Sequence, residues 1–123
     1  MAIWKKAGIK PAGDWYIVTG DFMMATLERA DAEKGYFMTD SSTWYAGMKN
    51  LRNLKVLFKG DRFIINVYHA LCQPAGATAG ASLGAKFIEF VASERGQEII
   101  RSYGKKTYGE ALYNDVSYAK RFE

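Results

Sequence analysis

Apolar residues in this chain form short β-type runs alternating with longer helical stripes. Four runs rich in β-branched and aromatic residues predict strands at 15–19, 36–39, 55–58 and 63–72. Apolar residues at helical spacing predict helices at 21–34, 40–49, 82–92 and 94–103. The fourth β-type run is almost continuously apolar, as in strands covered on both faces. Strands and helices in this order predict an α/β fold.

Turn and cap residues bound these elements. Gly35 and Gly104 stand where two of the predicted helices end. Asp21 is a candidate N-cap, and the polar run 40–43 is a dense helix-start signal. The small-residue segment 73–84 fits neither a P-loop nor a dinucleotide-binding fingerprint, so it is interpreted as a flexible connector.

Composition places the chain among globular proteins and limits its partners. Its 123 residues, 49% hydrophobic and 24% charged, predict one domain with a core of its own. The formal charge of +4 favours anionic partners in general. The basic residues are scattered along the chain, which favours a solvated surface over a nucleic-acid interface.

No catalytic or metal-binding constellation is visible in the sequence. Cys72 is the only cysteine and His69 the only histidine, so a disulfide and a zinc site of cysteines and histidines are both excluded. On a strand their side chains would point to opposite faces, which argues against a nucleophilic pair. We therefore interpret Cys72 as a buried thiol and His69 as a core or interface residue. The sequence predicts a protein that is not an enzyme and needs no cofactor.

The sequence shows no pattern typical of a membrane span or a signal peptide. No run approaches the roughly 18 apolar residues of a membrane span. The charged stretch 1–10 is not followed by an apolar core long enough for a signal peptide. The chain as written is therefore expected to be cytoplasmic.

Five blocks stand out in order along the chain. They read WKKAGIKPAGDWY at 4–16, EKGYFMTDSSTW at 33–44, GDRFIINVY at 60–68, FIEFVASERGQ at 87–97 and GEALY at 109–113. Each resembles a block of the tungstate- and molybdate-type solute-binding proteins of ABC importers, and together they cover nearly the whole chain. All five come from the second half of such proteins.

The resemblance implies a type II periplasmic-binding-protein fold, of which this chain would be one lobe with C-terminal helices. Residues up to about 58 would belong to the second lobe, and residues from about 63 to 123 would form a crossing strand and the helices. The apolar surface left by the missing lobe predicts a homodimer or higher oligomer. If the chain is part of a receptor, the resemblance implies an ABC permease as partner and a periplasmic location.

The resemblance also locates a tentative ligand site and its departures from the family pattern. The family's arginine falls on Ser41, and two glycines of its G-Q-G-M-G helix start fall on Phe22 and Met24. The residues that would still face a small ligand or an oxyanion such as tungstate or molybdate are Gly20, Thr39, Ser41, Ser42, Thr43, Trp44 and Tyr68. Hydroxyls at a helix N-terminus can donate to an anion, but the alternative is that they only cap the helix.

Three functional hypotheses follow. The leading one is a non-catalytic ligand-binding or interaction module derived from an oxyanion solute-binding protein, with direct oxyanion transport doubtful. The alternative is part of a functional tungstate or molybdate receptor of an ABC importer. The second alternative, a basic nucleic-acid-binding protein, depends on net charge and scattered aromatic residues alone.

Overall fold

The structure is a computed structural model that describes residues 2–122. Within this range the chain forms seven α-helices and two 3₁₀ helices. The α-helices are α1 (Ala2–Lys6), α2 (Met23–Ala32), α3 (Ser41–Gly47), α4 (Ala81–Ala92), α5 (Glu94–Ser102), α6 (Lys105–Tyr108) and α7 (Val116–Ala119). The 3₁₀ helices lie at Met48–Asn50 and Lys120–Phe122.

The four predicted strands do not form in residues 2–122, so these four predictions are wrong for this structure. A strand is stable only when its backbone groups pair with another strand, and a lone β-type segment has no such partner. At the start of the long run 63–72, the backbone pairs locally instead. Asp61 accepts the N–H of Phe63 through its carboxylate, and its carbonyl accepts the N–H of Ile64 and Ile65. The run therefore begins as a turn.

Most helix predictions are confirmed, although some ends differ. Asp40 caps α3 and Ser93 caps α5 through their side chains. Asp21 does not cap α2, because that helix begins after Phe22. The tail from Lys105 onward contains α6 and α7, where the sequence predicts irregular structure.

The chain divides into two compact units, the first ending at Ile65. In the first unit, α2 packs on α3, and Leu27 of α2 is 1% exposed. Gly47 of α3 permits this close approach, because an added Cβ would lie 3.0 Å from Sδ of Met24. The packing of α2 on α3 supplies the small core of this unit.

Asp31 joins α2 to the segment that follows the first 3₁₀ helix. Its carboxylate accepts the backbone N–H groups of Arg52, Asn53 and Leu54 at 2.7 to 3.1 Å. The Asn53 side chain in turn donates to the Asp31 carbonyl at 2.9 Å. These bonds, led by the one from Asn53, lower the pKa of the buried Asp31 carboxyl although burial opposes them. The carboxylate therefore stays ionised and serves as a structural clamp.

The second unit begins at Asn66 and is organised around the junction of α4 and α5. Ser93 Oγ accepts the N–H of Gly96 at 3.2 Å and donates to the carbonyl of Phe90 at 2.6 Å. Gln97 donates to the carbonyl of Val91 and accepts the N–H of Val116, both at 2.8 Å. The sequence S-x-x-G-Q is thus a connector that fixes α5 on α4 and holds the start of α7.

Buried apolar side chains are few, and exposed ones are many. Within residues 2–122 the buried apolar side chains are those of Leu27, Ala81 and Leu112. The chain of 13.8 kDa exposes 10137 Å². Two separate globules of half that mass would together expose about 8000 Å². The chain therefore exposes more surface than two ordinary globules of this mass, and both units contribute exposed large apolar side chains.

Candidate ligand-binding site

The start of α3 carries most of the predicted site residues. The Asp40 carboxylate accepts the backbone N–H of Thr43 at 2.8 Å and its hydroxyl at 2.9 Å. Ser42 also donates its hydroxyl to this carboxylate. The hydroxyls of Ser42 and Thr43 therefore point their hydrogens at Asp40. This arrangement is the capping alternative that the sequence left open.

Asp40 also determines the charge at this helix start. Burial opposes ionisation of its carboxyl, but the bonds from Ser42 and Thr43 outweigh burial and lower the pKa below the ordinary value. The carboxylate is therefore negative at neutral pH. A negative charge here repels an oxyanion and compensates the helix dipole that would otherwise attract one.

The remaining predicted residues of α3 have different environments. Oγ1 of Thr39 is buried and has no hydrogen-bond partner among residues 2–122. Ser41 is exposed, and Trp44 is half-buried with its backbone N–H donated to the Asp40 carbonyl at 3.1 Å. The Thr39 hydroxyl is therefore a hydrogen-bond donor without an acceptor among residues 2–122. The α3 helix has seven residues, and its first turn is already capped by Asp40.

The start of α2 differs from that of α3, because no described side chain caps it. Gly20 precedes this helix with a φ of 70°, a conformation that favours glycine. Phe22 occupies the N-cap position and is 93% exposed. Nearby, the hydroxyls of Thr19 and Thr26 lie 2.8 Å apart. The first N–H groups of α2 therefore have no side-chain cap among the described residues, and Gly20 lies three positions before this helix.

The structure brings some of the predicted residues together and not others. Thr39, Ser41, Ser42, Thr43 and Trp44 share the start of α3 in the first unit, and Gly20 precedes the neighbouring α2. Tyr68 belongs to the second unit and is 78% exposed.

Two sequence interpretations are corrected by exposure. Cys72 is an exposed free thiol rather than a buried one. The exposure of His69 contradicts a place in a core, and its place at an interface stays a prediction. Both were assigned to a strand covered on its two faces, and that strand does not form. Among residues 2–122 no group of three or more His, Cys, Asp or Glu side chains could hold a metal ion.

A cavity that the sequence did not indicate lies beside α1. Its volume is about 380 Å³, and it is lined by Ile3, Lys6, Ala7, Phe58, Asp61, Phe63 and Ile64. Nζ of Lys6 lies 3.7 Å from the centroid of the Phe63 ring, a cation–π contact. Because its walls come from both ends of the first unit, no local sequence pattern indicated it.

Comparison with known proteins decides the family. Residues 1–95 match the family model described as a PBP superfamily domain. The chain belongs to the PBP superfamily. It is 32% identical over 117 residues to the tungstate-binding protein TupA of Peptoclostridium acidaminophilum, covering 92% of this chain and 40% of that protein. The match places it with the tungstate-type solute-binding proteins and supports a type II periplasmic-binding fold.

Two further relatives agree with this assignment. TupA of Campylobacter jejuni is 27% identical over 112 residues, covering 83% of this chain and 40% of that protein. A putative ABC transporter anion-binding protein of Haloferax volcanii is 33% identical over 110 residues, covering 84% and 32%. The chain thus spans less than half the length of each relative. No solved structure matches it.

The family also bears on activity and location. The relatives that the chain matches are named as tungstate- or anion-binding proteins, and solute binding of this kind is not an enzymatic activity. Among the described helices, none has the length and apolar character needed to cross a membrane.

Proposed function

We propose that this chain is a non-catalytic interaction module derived from an oxyanion solute-binding protein, and that it does not hold tungstate or molybdate by itself. The observation that carries the proposal is the Asp40 network at the start of α3. There the hydroxyls of Ser42 and Thr43 and the backbone N–H of Thr43 are directed to a carboxylate. An arriving oxyanion would compete with that carboxylate for the same donors.

The sequence at the same place supports the proposal. By the family resemblance, Ser41 stands where an arginine would neutralise the oxyanion. A serine hydroxyl cannot replace the charge and the paired donors of a guanidinium. Two features therefore disfavour oxyanion binding at the start of α3. One is the serine in place of a cationic arginine, and the other is the negative charge of the Asp40 carboxylate.

Partner binding is the second half of the proposal. Large apolar side chains in both units are exposed, among them Val18 at 76%, Leu57 at 64% and Leu83 at 73%. Exposed apolar surface of this extent favours association with another protein. We propose that the chain forms a homodimer or higher oligomer through this surface.

A thermal-shift experiment tests the oxyanion part. A ligand present at 100 times its Kd stabilises a protein by about 2.7 kcal/mol, which for a chain of this size corresponds to a rise in Tm of roughly 10 °C. We expect no such rise with tungstate or molybdate at 1 mM, with sulfate as the control anion. Asp40→Asn is the matched variant of the unmodified chain in this experiment. Its asparagine can still cap α3, but it lacks the negative charge of the Asp40 carboxylate. A rise of several degrees for the unmodified chain would refute the proposal.

The alternative is that the chain is part of a functional receptor whose remaining residues lie outside it. The uncapped start of α2 supports this alternative, because free N–H groups at the positive end of a ten-residue helix suit an anion. The relatives named for tungstate or anion binding are also more than twice as long. Under this alternative the partner would be an ABC permease, and tungstate would stabilise the protein only in the presence of the missing part.

A further inference from the structure

The cavity beside α1 has the size of a small-molecule site. Its volume of about 380 Å³ lies within the range of about 300–1,000 Å³ that ligand pockets span. At about 30 Å³ for each heavy atom, the liquid volume of one water, it has room for roughly a dozen non-hydrogen atoms. We refer to this space as the α1 cavity. Its apolar lining residues are Ile3, Ala7, Phe58, Phe63 and Ile64.

The lining leaves apolar surface for a ligand to cover. Phe58 is 69% exposed, Phe63 42% and Ile3 37%. A ligand with an apolar body would remove this surface from water, which favours binding. Tungstate would not suit such a lining, because its oxygens need hydrogen-bond donors and apolar side chains offer none. The α1 cavity therefore fits an organic ligand better than an oxyanion.

Positive charge at the Phe63 ring indicates the charge of the ligand. Nζ of Lys6 lies 3.7 Å from the centroid of this ring, and the guanidinium carbon of Arg62 lies 4.9 Å from it. Neither cation is within ion-pair distance of an acidic group among residues 2–122. Both side chains are exposed, and a ring face compensates an exposed cation only weakly. A carboxylate at this place would therefore find a cation to pair with.

Asp61 is the acidic residue of the lining, and its carboxylate already serves the local turn. Oδ1 accepts the backbone N–H of Phe63 at 2.8 Å, and the Asp61 carbonyl accepts the N–H groups of Ile64 and Ile65. These bonds hold the turn that carries the Phe63 ring. Two cations and one carboxylate leave one positive charge in excess, so a ligand with one negative charge is complementary to the α1 cavity.

We propose that the α1 cavity binds a small organic monocarboxylate with an apolar, ring-bearing body. Lys6 pairs with the carboxylate, and the apolar lining residues cover the ring. The proposal goes beyond the proposed function, since it concerns residues outside the start of α3 and a ligand that is not an oxyanion such as tungstate. A ligand of about eleven non-hydrogen atoms in a partly open site is expected to give a Kd of about 0.1–1 mM.

A ¹H–¹⁵N NMR titration of the full chain with 3-phenylpropionate to 5 mM tests the site. We expect saturable shifts at the backbone amides of Lys6, Ala7, Phe63 and Ile64. The uncharged analogue 3-phenylpropanamide should bind about tenfold more weakly, because it has no negative charge to pair with Lys6. Acetate, which has no apolar body, should give no saturable shifts over the same range.

Lys6→Met separates the charge of Lys6 from its packing, because methionine keeps an unbranched side chain without the ammonium group. This variant should bind 3-phenylpropionate about tenfold more weakly and the amide analogue unchanged. Lys5→Met is the matched control, since Lys5 is also exposed on α1 and does not line the cavity. The spectrum of each variant verifies that the fold is kept.

Four results would overturn the proposed site. Two of them are the absence of saturable shifts with 3-phenylpropionate and shifts confined to the second unit. The others are equal affinity for the carboxylate and its amide analogue, and equal loss of affinity in Lys5→Met and Lys6→Met. The comparison of the two probes needs only the unmodified chain, so it decides the matter even where a variant does not fold. Saturable shifts with tungstate at the start of α3 would reject the proposed function and leave the α1 cavity unaffected.

Discussion

Gly96 is the position where one added methyl group should perturb this structure most. A Cβ at this residue would lie 2.2 Å from the Phe90 carbonyl oxygen, 2.7 Å from that of Val91 and 2.8 Å from the Val91 Cα. All three atoms belong to the backbone of α4 and cannot turn aside as a side chain would. Because ordinary contact begins near 3.4 Å, Gly96→Ala must push the start of α5 away from α4 by roughly 1 Å.

The magnitude follows from the contacts that such a shift disturbs. Overpacking a close contact costs about 1–3 kcal/mol. The bonds from Gly96 to Ser93 and from Gln97 to Val91 would also lengthen, at about 0.5–1.5 kcal/mol each. Alanine recovers up to about 1 kcal/mol through its higher helix propensity. The free energy of unfolding should therefore fall by about 1–6 kcal/mol.

Urea denaturation followed by circular dichroism at 222 nm, at one fixed protein concentration, measures this change. Gly80→Ala is the matched control, because Gly80 precedes α4 with right-handed backbone angles and an added Cβ meets nothing within 4 Å. We expect the control to differ from the unmodified chain by less than about 0.5 kcal/mol. A Gly96→Ala variant as stable as the control would refute the packing of α5 on α4 described above.

Two further predictions concern the first unit. Leu27→Ala should lower the free energy of unfolding by about 2–5 kcal/mol, because Leu27 is 1% exposed between α2 and α3; Leu27→Met should cost less than about 1.5 kcal/mol in the same urea titration. The lowered pKa of Asp31 means that its stabilising contribution is present above its ordinary pKa, near 3.9, and is lost as the pH falls through the lower folded value. Melting curves between pH 2 and 6 should therefore show a shallower acid loss of stability in Asp31→Asn than in the unmodified chain, and equal slopes would contradict the clamp.

Local signals in the sequence predicted the helices of this structure well. Ser93 and Gly96 are three residues apart, and their roles as cap and close-contact glycine depend only on neighbouring turns. Asp40 likewise caps α3 through residues two and three positions ahead. Helix caps formed between residues this close in sequence can be predicted without knowledge of the rest of the fold.

Predictions that needed a distant partner were less successful. The runs at 15–19 and 63–72 have the composition of strands, but a strand also requires a neighbouring strand, which composition does not supply. Asp31 was missed because its partners lie 21 to 23 residues ahead of it. The wrong prediction that Cys72 is buried has the same cause, because it depends on a covered strand at 63–72.

The helix start at the candidate site was predictable, but the direction of its hydroxyl groups was not. The polar run from Thr39 to Thr43 marked a helix start, and the structure places one there. Whether its hydroxyls face a ligand or Asp40 depends on side-chain rotation, which a sequence leaves open. The Asp40 network therefore favours helix capping over anion binding at this place.

Isothermal titration of tungstate into the purified 123-residue chain tests the central claim most directly. We expect heats no larger than those of dilution, because Ser41 supplies no cation and the hydroxyls of Ser42 and Thr43 already donate to Asp40. A saturable isotherm with about one tungstate per chain, absent when sulfate is titrated instead, would contradict it.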